Sequence, residues 1–288
     1  MKLIFHRPQG WRIILVIFLS LLLSRHRQAT AYEEETAHYE ELSDGVLTVI
    51  TYPVPDGFFS APVLTGDGSR LTKLGTIENF HGLDVDLMHA FGTELGARVE
   101  FRSMAEAGFS VLIPALIERQ GDIVASALTI TEERSEVVDF SRPYFRTGLS
   151  VMTLADSDLH TPEQLAGLIG SAVRGSTGID GIRRLGAEAI AAEFAFEALE
   201  AVDSGEADFT LMDTASTRTR MVHGLKVAFE LPDSEQEYGF ALRKGSDLRA
   251  RLDLFLDQAE RSGRLRALTE KYGLPWTFGP SEPEASTP

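Results

Sequence analysis

The residues with the most chemical content in this chain stand at the ends of two apolar runs. Ala127-Leu128-Thr129-Ile130-Thr131-Glu132-Glu133-Arg134 follows a run beginning at Ile123 and precedes Val137-Val138-Asp139-Phe140. Thr131 has the hydroxyl of a helix N-cap, but the position three residues on, where a capping box carries Glu or Gln, holds Arg134. A guanidinium in a first helical turn meets the positive end of the macrodipole and costs stability unless an anion lies close. Free backbone N–H groups beside a guanidinium fork would suit a carboxylate. The alternative is a surface arginine paired with Glu133 or Asp139. The second run ends in Thr210-Leu211-Met212-Asp213-Thr214. A carboxylate closing a buried strand needs a partner, so Asp213 either caps the helix that follows or faces a cation. If the two runs face each other, Arg134 and Asp213 set opposite charges across one cleft, matching the head of an α-amino acid.

Between them, Val173-Arg174-Gly175-Ser176-Thr177-Gly178 is a small-residue turn leading from a strand into a helix that contains Ile182 and Leu185. It could supply backbone donors and a second cation. It lacks G-x-G-x-x-G and G-x-x-x-x-G-K, so it gives no support for nucleotide binding. There is no H-E-x-x-H and no G-x-S-x-G, and the seven histidines are scattered, His81 and His89 reading as solvated or packing residues. No metal site and no cofactor are expected. Cysteine is absent, which excludes a thiol nucleophile, disulfides, cysteine zinc sites and a lipid-modified cysteine.

The elements that must position these groups alternate. A strand at Leu47–Ile50, a helix at Asp84–Leu95, a strand at Val99–Arg102, a helix around Phe109–Arg119 and a strand at Ile123–Ala127 read as βαβ units with a mainly parallel sheet. A weak internal repeat supports two similar α/β halves: Ala115-Leu116-Ile117-Glu118 with Gly121-Asp122-Ile123-Val124-Ala125 is echoed by Ala198-Leu199-Glu200-Ala201 with Gly205-Glu206-Ala207-Asp208-Phe209-Thr210. Thr161-Pro162-Glu163-Gln164 has the cap, the proline and the Gln of a helix start. From Asp247 to Tyr272 a long helical stretch carries Leu248, Leu252, Phe255, Leu256 and Ala259 on one face.

The N-terminus has the three parts of a secretory signal: Lys2, Arg7 and Arg12, then the apolar run Ile13–Leu23, then Ala29-Thr30-Ala31; the alternative, which Arg25 and Arg27 favour, is an uncleaved membrane anchor. Cleavage after Ala31 removes five of the 27 Lys/Arg and none of the 43 Asp/Glu, leaving a net charge of −21. That surface repels nucleic acid. Residues 32–44 read as a flexible acidic leader and 277–288 as a disordered Pro/Ser/Glu-rich tail.

Several segments resemble the family 3 bacterial solute-binding proteins, the polar amino-acid receptors of ATP-driven importers. They are Gly82-Leu83-Asp84-Val85-Asp86-Leu87, the Thr129–Arg134 run, Val138-Asp139-Phe140-Ser141-Arg142-Pro143-Tyr144, Gly205-Glu206-Ala207-Asp208 and Lys271-Tyr272-Gly273. The likeness implies a two-lobed α/β fold of the type II periplasmic-binding-protein class, with two crossover strands forming the hinge. Lobe 1 would comprise 45–146 plus 236–276, and lobe 2 would comprise 147–235. It implies further that Arg134 holds a ligand carboxylate, with Thr129 adding a hydroxyl and an N–H. Asp213 would bind the ammonium beside the carbonyl of Ala127, and Thr177 and Gly178 would close from lobe 2. Arg174 would reach the ligand, and Tyr52 with Phe59 would wall the pocket. Tyr52 stands where receptors for basic amino acids carry an acid, and Asp56–Asn79 holds extra residues, which disfavours lysine or arginine. The implied protein is a periplasmic monomer that is not a lipoprotein, a non-enzyme that delivers its ligand to an ABC importer permease in the inner membrane. Two alternatives come with the fold: a sensor-type module and an enzyme similar to cyclohexadienyl (arogenate) dehydratase, which this chain resembles around Asp213-Thr214-Ala215-Ser216-Thr217-Arg218. In that enzyme an Asn and an acidic Glu follow the Thr of the glycine turn; Gly178 and Ile179 here leave the elimination without a proton donor.

Overall fold

Apolar runs of a few residues, separated by amphipathic stretches, become strands and helices in alternation. In chain order these are β1 (Val46–Thr51), α1 (Leu83–Leu95), β2 (Arg98–Ser103), α2 (Leu112–Ile117), β3 (Ile123–Val124), α3 (Glu132–Val137) and β4 (Val138–Phe140). The chain then passes through β5 (Phe145–Thr147) into β6 (Leu149–Leu154), β7 (Ile169–Val173), α4 (Thr177–Arg184), β8 (Glu188–Ala192), α5 (Ala195–Asp203), β9 (Phe209–Asp213), α6 (Thr214–Thr217) and β10 (Leu225–Glu230). It returns by β11 (Gln236–Tyr238) and closes with β12 (Ala241–Arg243), α7 (Leu248–Arg261) and α8 (Arg264–Lys271). This is a computed structural model that describes Leu42 and residues 44–52, 58, 80–217 and 224–278. The expected signal segment, most of the acidic leader, Phe59, Arg218 and residues 279–288 lie outside the described residues. Residues 44–288 make up one unit, which carries all of these elements.

Two five-stranded sheets result. The first has the order β2-β1-β3-β12-β4 and the second β10-β6-β9-β7-β8. β1 is parallel to β2 and β3, and β7 is parallel to β8 and β9, while β12 and β6 run antiparallel to their neighbours. The antiparallel pair β5–β11, with Phe145 opposite Tyr238 and Thr147 opposite Gln236, carries the chain out of one sheet and back to the other. The fold is therefore two α/β lobes joined by two crossover strands. Each lobe has its own core: Ile50, Leu112, Leu116, Val124 and Leu128 in the first, Leu149, Val151, Ile182, Phe209 and Leu211 in the second. Burying one such side chain contributes about 1.5–3 kcal/mol.

The internal echo is a structural equivalence. Asp122 accepts the Thr48 N–H at 2.8 Å, and Asp208 accepts the Ile169 N–H at 2.8 Å. Each carboxylate ties the strand it precedes, β3 or β9, to the parallel strand beside it, β1 or β7. The other motifs also hold elements together. Lys271 and the Tyr272 hydroxyl donate to Asp86 at 2.6 and 2.7 Å, clamping the end of α8 to α1. Arg142 bridges to Asp257 and Glu260 of α7. Asp139 takes Lys244 and the Gly245 N–H. His89 packs its ring against Phe101 at 5.2 Å.

Four expectations are corrected. The start at Thr161 has its full capping box, but it opens only a 3-10 turn, Pro162–Leu165, because Ala166 turns extended at once. The helix around Phe109–Arg119 is a 3-10 turn, Phe109–Val111, followed by α2, and Arg119 leaves it in the left-handed region at φ 61. The Ile123–Ala127 strand stops at Val124, since Ala127 has φ 47, a backbone shape outside any strand. The stretch from Asp247 to Tyr272 is two helices, broken at Gly263, whose φ of 77 glycine adopts without steric cost. Thr277 accepts the Arg146 N–H at 3.0 Å, and the Arg146 guanidinium lies 4.9 Å over the buried Phe278 ring.

Candidate functional site

The loop after β3 is held from behind. Asp84, the second residue of α1, is fully buried, and its Oδ2 accepts the Ala127 N–H at 2.8 Å. Burial pushes the Asp84 carboxyl up to about 7, against the opposing pull of the Ala127 N–H and the nearby Tyr144 phenol. Among the described residues neither Asp84 Oδ1 nor the Tyr144 hydroxyl has a hydrogen-bond partner. One residue earlier, Ser126 Oγ accepts the Tyr52 N–H at 3.1 Å and donates to the Tyr52 carbonyl at 2.7 Å, locking β1's exit to the same loop. Thr131 is the N-cap: its hydroxyl accepts the Arg134 N–H at 3.1 Å, fixing where the Arg134 side chain leaves α3.

Arg134 pairs with neither Glu133 nor Asp139. Its guanidinium donates to the Thr129 carbonyl at 2.6 Å and, across the cleft, to the Gly175 carbonyl at 2.9 Å, with its Cζ 5.9 Å from the Phe109 ring centre. Burial lowers its pKa from the ordinary arginine value, and Asp213 is the largest of the charges that oppose this. A guanidinium stays protonated regardless, so the charge is permanent.

From the second lobe, β7 ends at Val173 and the turn at Gly175, with φ 77, brings the backbone so near the first lobe that a Cβ there would lie 2.9 Å from Ser110 Cα. Thr177 and Gly178 open α4. At the end of β9 Asp213 is half-buried, and its Oδ2 accepts the Tyr238 hydroxyl at 2.7 Å. Gln236 on β11 joins the halves: its Oε1 accepts the hydroxyls of Thr129 at 2.9 Å and Thr177 at 3.1 Å. Tyr52 bridges them too, its ring stacked on Phe194 of the second lobe at 6.4 Å and its hydroxyl 3.4 Å from the Glu193 carbonyl.

These contacts enclose a cavity of about 90 Å³ between the lobes. Tyr52, Ala127, Thr129, Arg134, Thr177, Gly178 and Asp213 all line it. Arg174 does not. Its Nε donates to Glu193 at 2.5 Å, and the pair is about half exposed, because salt-bridging to a neighbour at the rim satisfies the charge without burying it. Phe109, Ser126, Ser216, Gln236 and Tyr238 were not foreseen; the first three line the cavity and the last two brace it. Phe109 follows Gly108 and Phe194 precedes a helix, but single aromatics carry no local signal that they face a cleft. Among the described residues no group of three or more His, Cys, Asp or Glu is placed to hold a metal.

A cleft between two lobes, with a fixed cation on one wall and a carboxylate on the other, is the geometry of a small-solute receptor. Residues 72–275 match the description of bacterial extracellular solute-binding proteins, family 3. The chain belongs to this family. The amino-acid-binding protein AabA of Dichelobacter nodosus is 28% identical over 201 residues, 66% of this chain and 78% of that one. The glutamine-binding protein GlnH of Bacillus subtilis is 30% identical over 215 residues, 71% of this chain and 76% of that one. A crystal structure of a mutant of ArgBP from T. maritima superposes with a TM-score of 0.69 at 29% identity, covering 81% of this chain and 97% of that one. Enzymes share the fold. The lytic murein transglycosylase F of Desulfosudis oleivorans is 27% identical over 202 residues, 66% of this chain but only 44% of its own length. The structure of AncCDT-1, an ancestral amino-acid-binding protein and precursor of cyclohexadienyl dehydratase, has a TM-score of 0.68 at 27% identity, covering 81% of this chain and 97% of that one. As a member of the family this protein is a solute-binding receptor. Its Ile179 is buried in the second lobe's core. Among the described residues no helix is long and apolar enough to cross a membrane.

Proposed function

We propose that the protein captures an amino acid in the inter-lobe cavity and presents the closed form to an ABC importer permease. Arg134 takes the ligand carboxylate with the N–H donors left over from its two carbonyl bonds. Asp213 and the Ala127 carbonyl take the ammonium, Thr129 and Thr177 add hydroxyls, and Tyr52 closes one wall. The lobes are 45–146 plus 236–276 and 147–235, and the β5–β11 ribbon between them is the hinge. The observation that carries the reading is the placement of Arg134 and Asp213 on different lobes of one cavity, so that a zwitterion is gripped at both ends only when the lobes are together. The protein acts without catalysis, as a monomer, in the periplasm after removal of residues 1–31. With no cysteine it is not a lipoprotein.

The test is isothermal titration of the protein and two variants with a panel of amino acids. Removing one side of a buried charge pair costs ~2–5 kcal/mol, so Arg134→Ala should weaken binding by roughly thirtyfold or more. Asp213→Asn should penalise amino acids more than simple carboxylates. Unchanged affinity in Arg134→Ala would overturn the carboxylate assignment, and equal losses for both ligand classes in Asp213→Asn would overturn the ammonium assignment.

A further inference from the structure

Among the described residues lining the cavity, Arg134 is the one cation and Asp213 the one anion. Both are used by the head of an amino acid. The remaining lining is apolar, with Leu149, Val173, Ala195, Leu211 and Met212, or hydroxylic, with Ser126, Ser176 and Ser216. At the rim, Arg174 and Glu193 are spent on each other. A ligand side chain carrying a third charge would thus be enclosed without a counterion, which folded proteins avoid because an unpaired buried charge is so costly. Volume points the same way: about 90 Å³ is well under the ~300–1,000 Å³ of pockets that take drug-sized molecules. The Tyr52 and Phe109 rings, edge to face at 5.8 Å, wall the first-lobe side.

We propose that the site selects an α-amino acid with a short, uncharged side chain, aliphatic or hydroxyl-bearing, and rejects basic and acidic amino acids. This rests on the amino-acid reading above and adds the ligand class. It separates the protein from structural neighbours whose bound ligand is arginine or glutamate.

The protein is unfolded in guanidinium and refolded to remove carried-over solute. It is then titrated calorimetrically with glycine, alanine, serine, threonine and valine, and separately with arginine, lysine, glutamate and aspartate. The best neutral ligand should bind at least about 100-fold more tightly than the best charged one. A charged amino acid binding as tightly as the best neutral one overturns the proposal while leaving the receptor reading standing. Binding by no amino acid of either class overturns both. Ala195→Glu places a carboxylate in the lining, at the first turn of α5 where an acid suits the helix dipole. It should narrow the gap between lysine or arginine and alanine by about tenfold or more, and an unchanged ratio would overturn the charge-balance argument.

Discussion

Replacing Asp84 by Asn should remove a pH dependence of stability that the wild-type chain carries between about pH 4 and 7. In the fold this carboxyl titrates at about 7, against an ordinary aspartate value of 3.8. Across that window the folded state holds a proton that the unfolded chain has released. The stability linked to this group is therefore fully present below 3.8 and is lost as the pH rises to about 7. Each pH unit of the gap corresponds to 1.36 kcal/mol, so the whole window is worth about 4 kcal/mol. The cause is desolvation: Asp84 has no exposed surface, and among the described residues its carboxyl is hydrogen-bonded only by the Ala127 N–H, through Oδ2 and not Oδ1. Asn keeps a carbonyl oxygen for that N–H and cannot ionise. Urea unfolding of both proteins at pH 5, 6, 7 and 8 gives the check. The stability difference, Asn variant minus wild type, should climb by about 1.4 kcal/mol per unit from pH 5 to 7 and level off above. Taking the difference cancels every group the two proteins share. Parallel curves would show that Asp84 ionises as freely in the fold as in the unfolded chain, and the desolvation argument would be refuted.

Three further outcomes follow from particular contacts. Asp84→Ala should cost ligand affinity as well as stability, because Ala127 is held at φ 47 by that carboxylate, a backbone state costing about 1–3 kcal/mol when unsupported; calorimetric titration beside Asp84→Asn separates the two effects. Gly175→Ala sets a Cβ 2.9 Å from Ser110 Cα at a residue with φ 77, so small-angle scattering should show the lobes held apart, and ligand affinity should drop about tenfold or more. Gln236→Leu leaves the Thr129 and Thr177 hydroxyls without their shared acceptor and should lower stability by about 1–3 kcal/mol in urea unfolding; no change would mean the amide is not a strap between lobes.

What could be read from the residues alone was whatever short-range physics dictates. Thr131 caps α3 because a hydroxyl reaches an N–H three residues on, and the echo of a glycine followed by an aspartate and a buried strand lands at matching places in two sheets because each aspartate ties adjacent strands. Arg134 and Asp213 could be singled out because each breaks a local rule, a cation in a first helical turn and an acid ending an apolar strand. The apolar face from Leu248 to Ala259 masked the stop at Gly263, although the glycine itself was in view.

Everything that depended on chain segments meeting across the cleft was decided by the tertiary structure. Arg174 was a sound candidate by position, yet Glu193, nineteen residues away, holds it at the rim. Gln236 stands in an ordinary polar run. It becomes a strap only because the return crossover sets it beside Thr129, 107 residues earlier, and Thr177, 59 residues earlier. No periodicity or cap records such a pairing, since its free energy comes from enclosing polar groups that the fold has first taken out of water. The charge inventory of the cavity has the same origin. The sequence offers 27 Lys/Arg and 43 Asp/Glu, and among the described residues folding brings one cation, Arg134, and one anion, Asp213, to the lining.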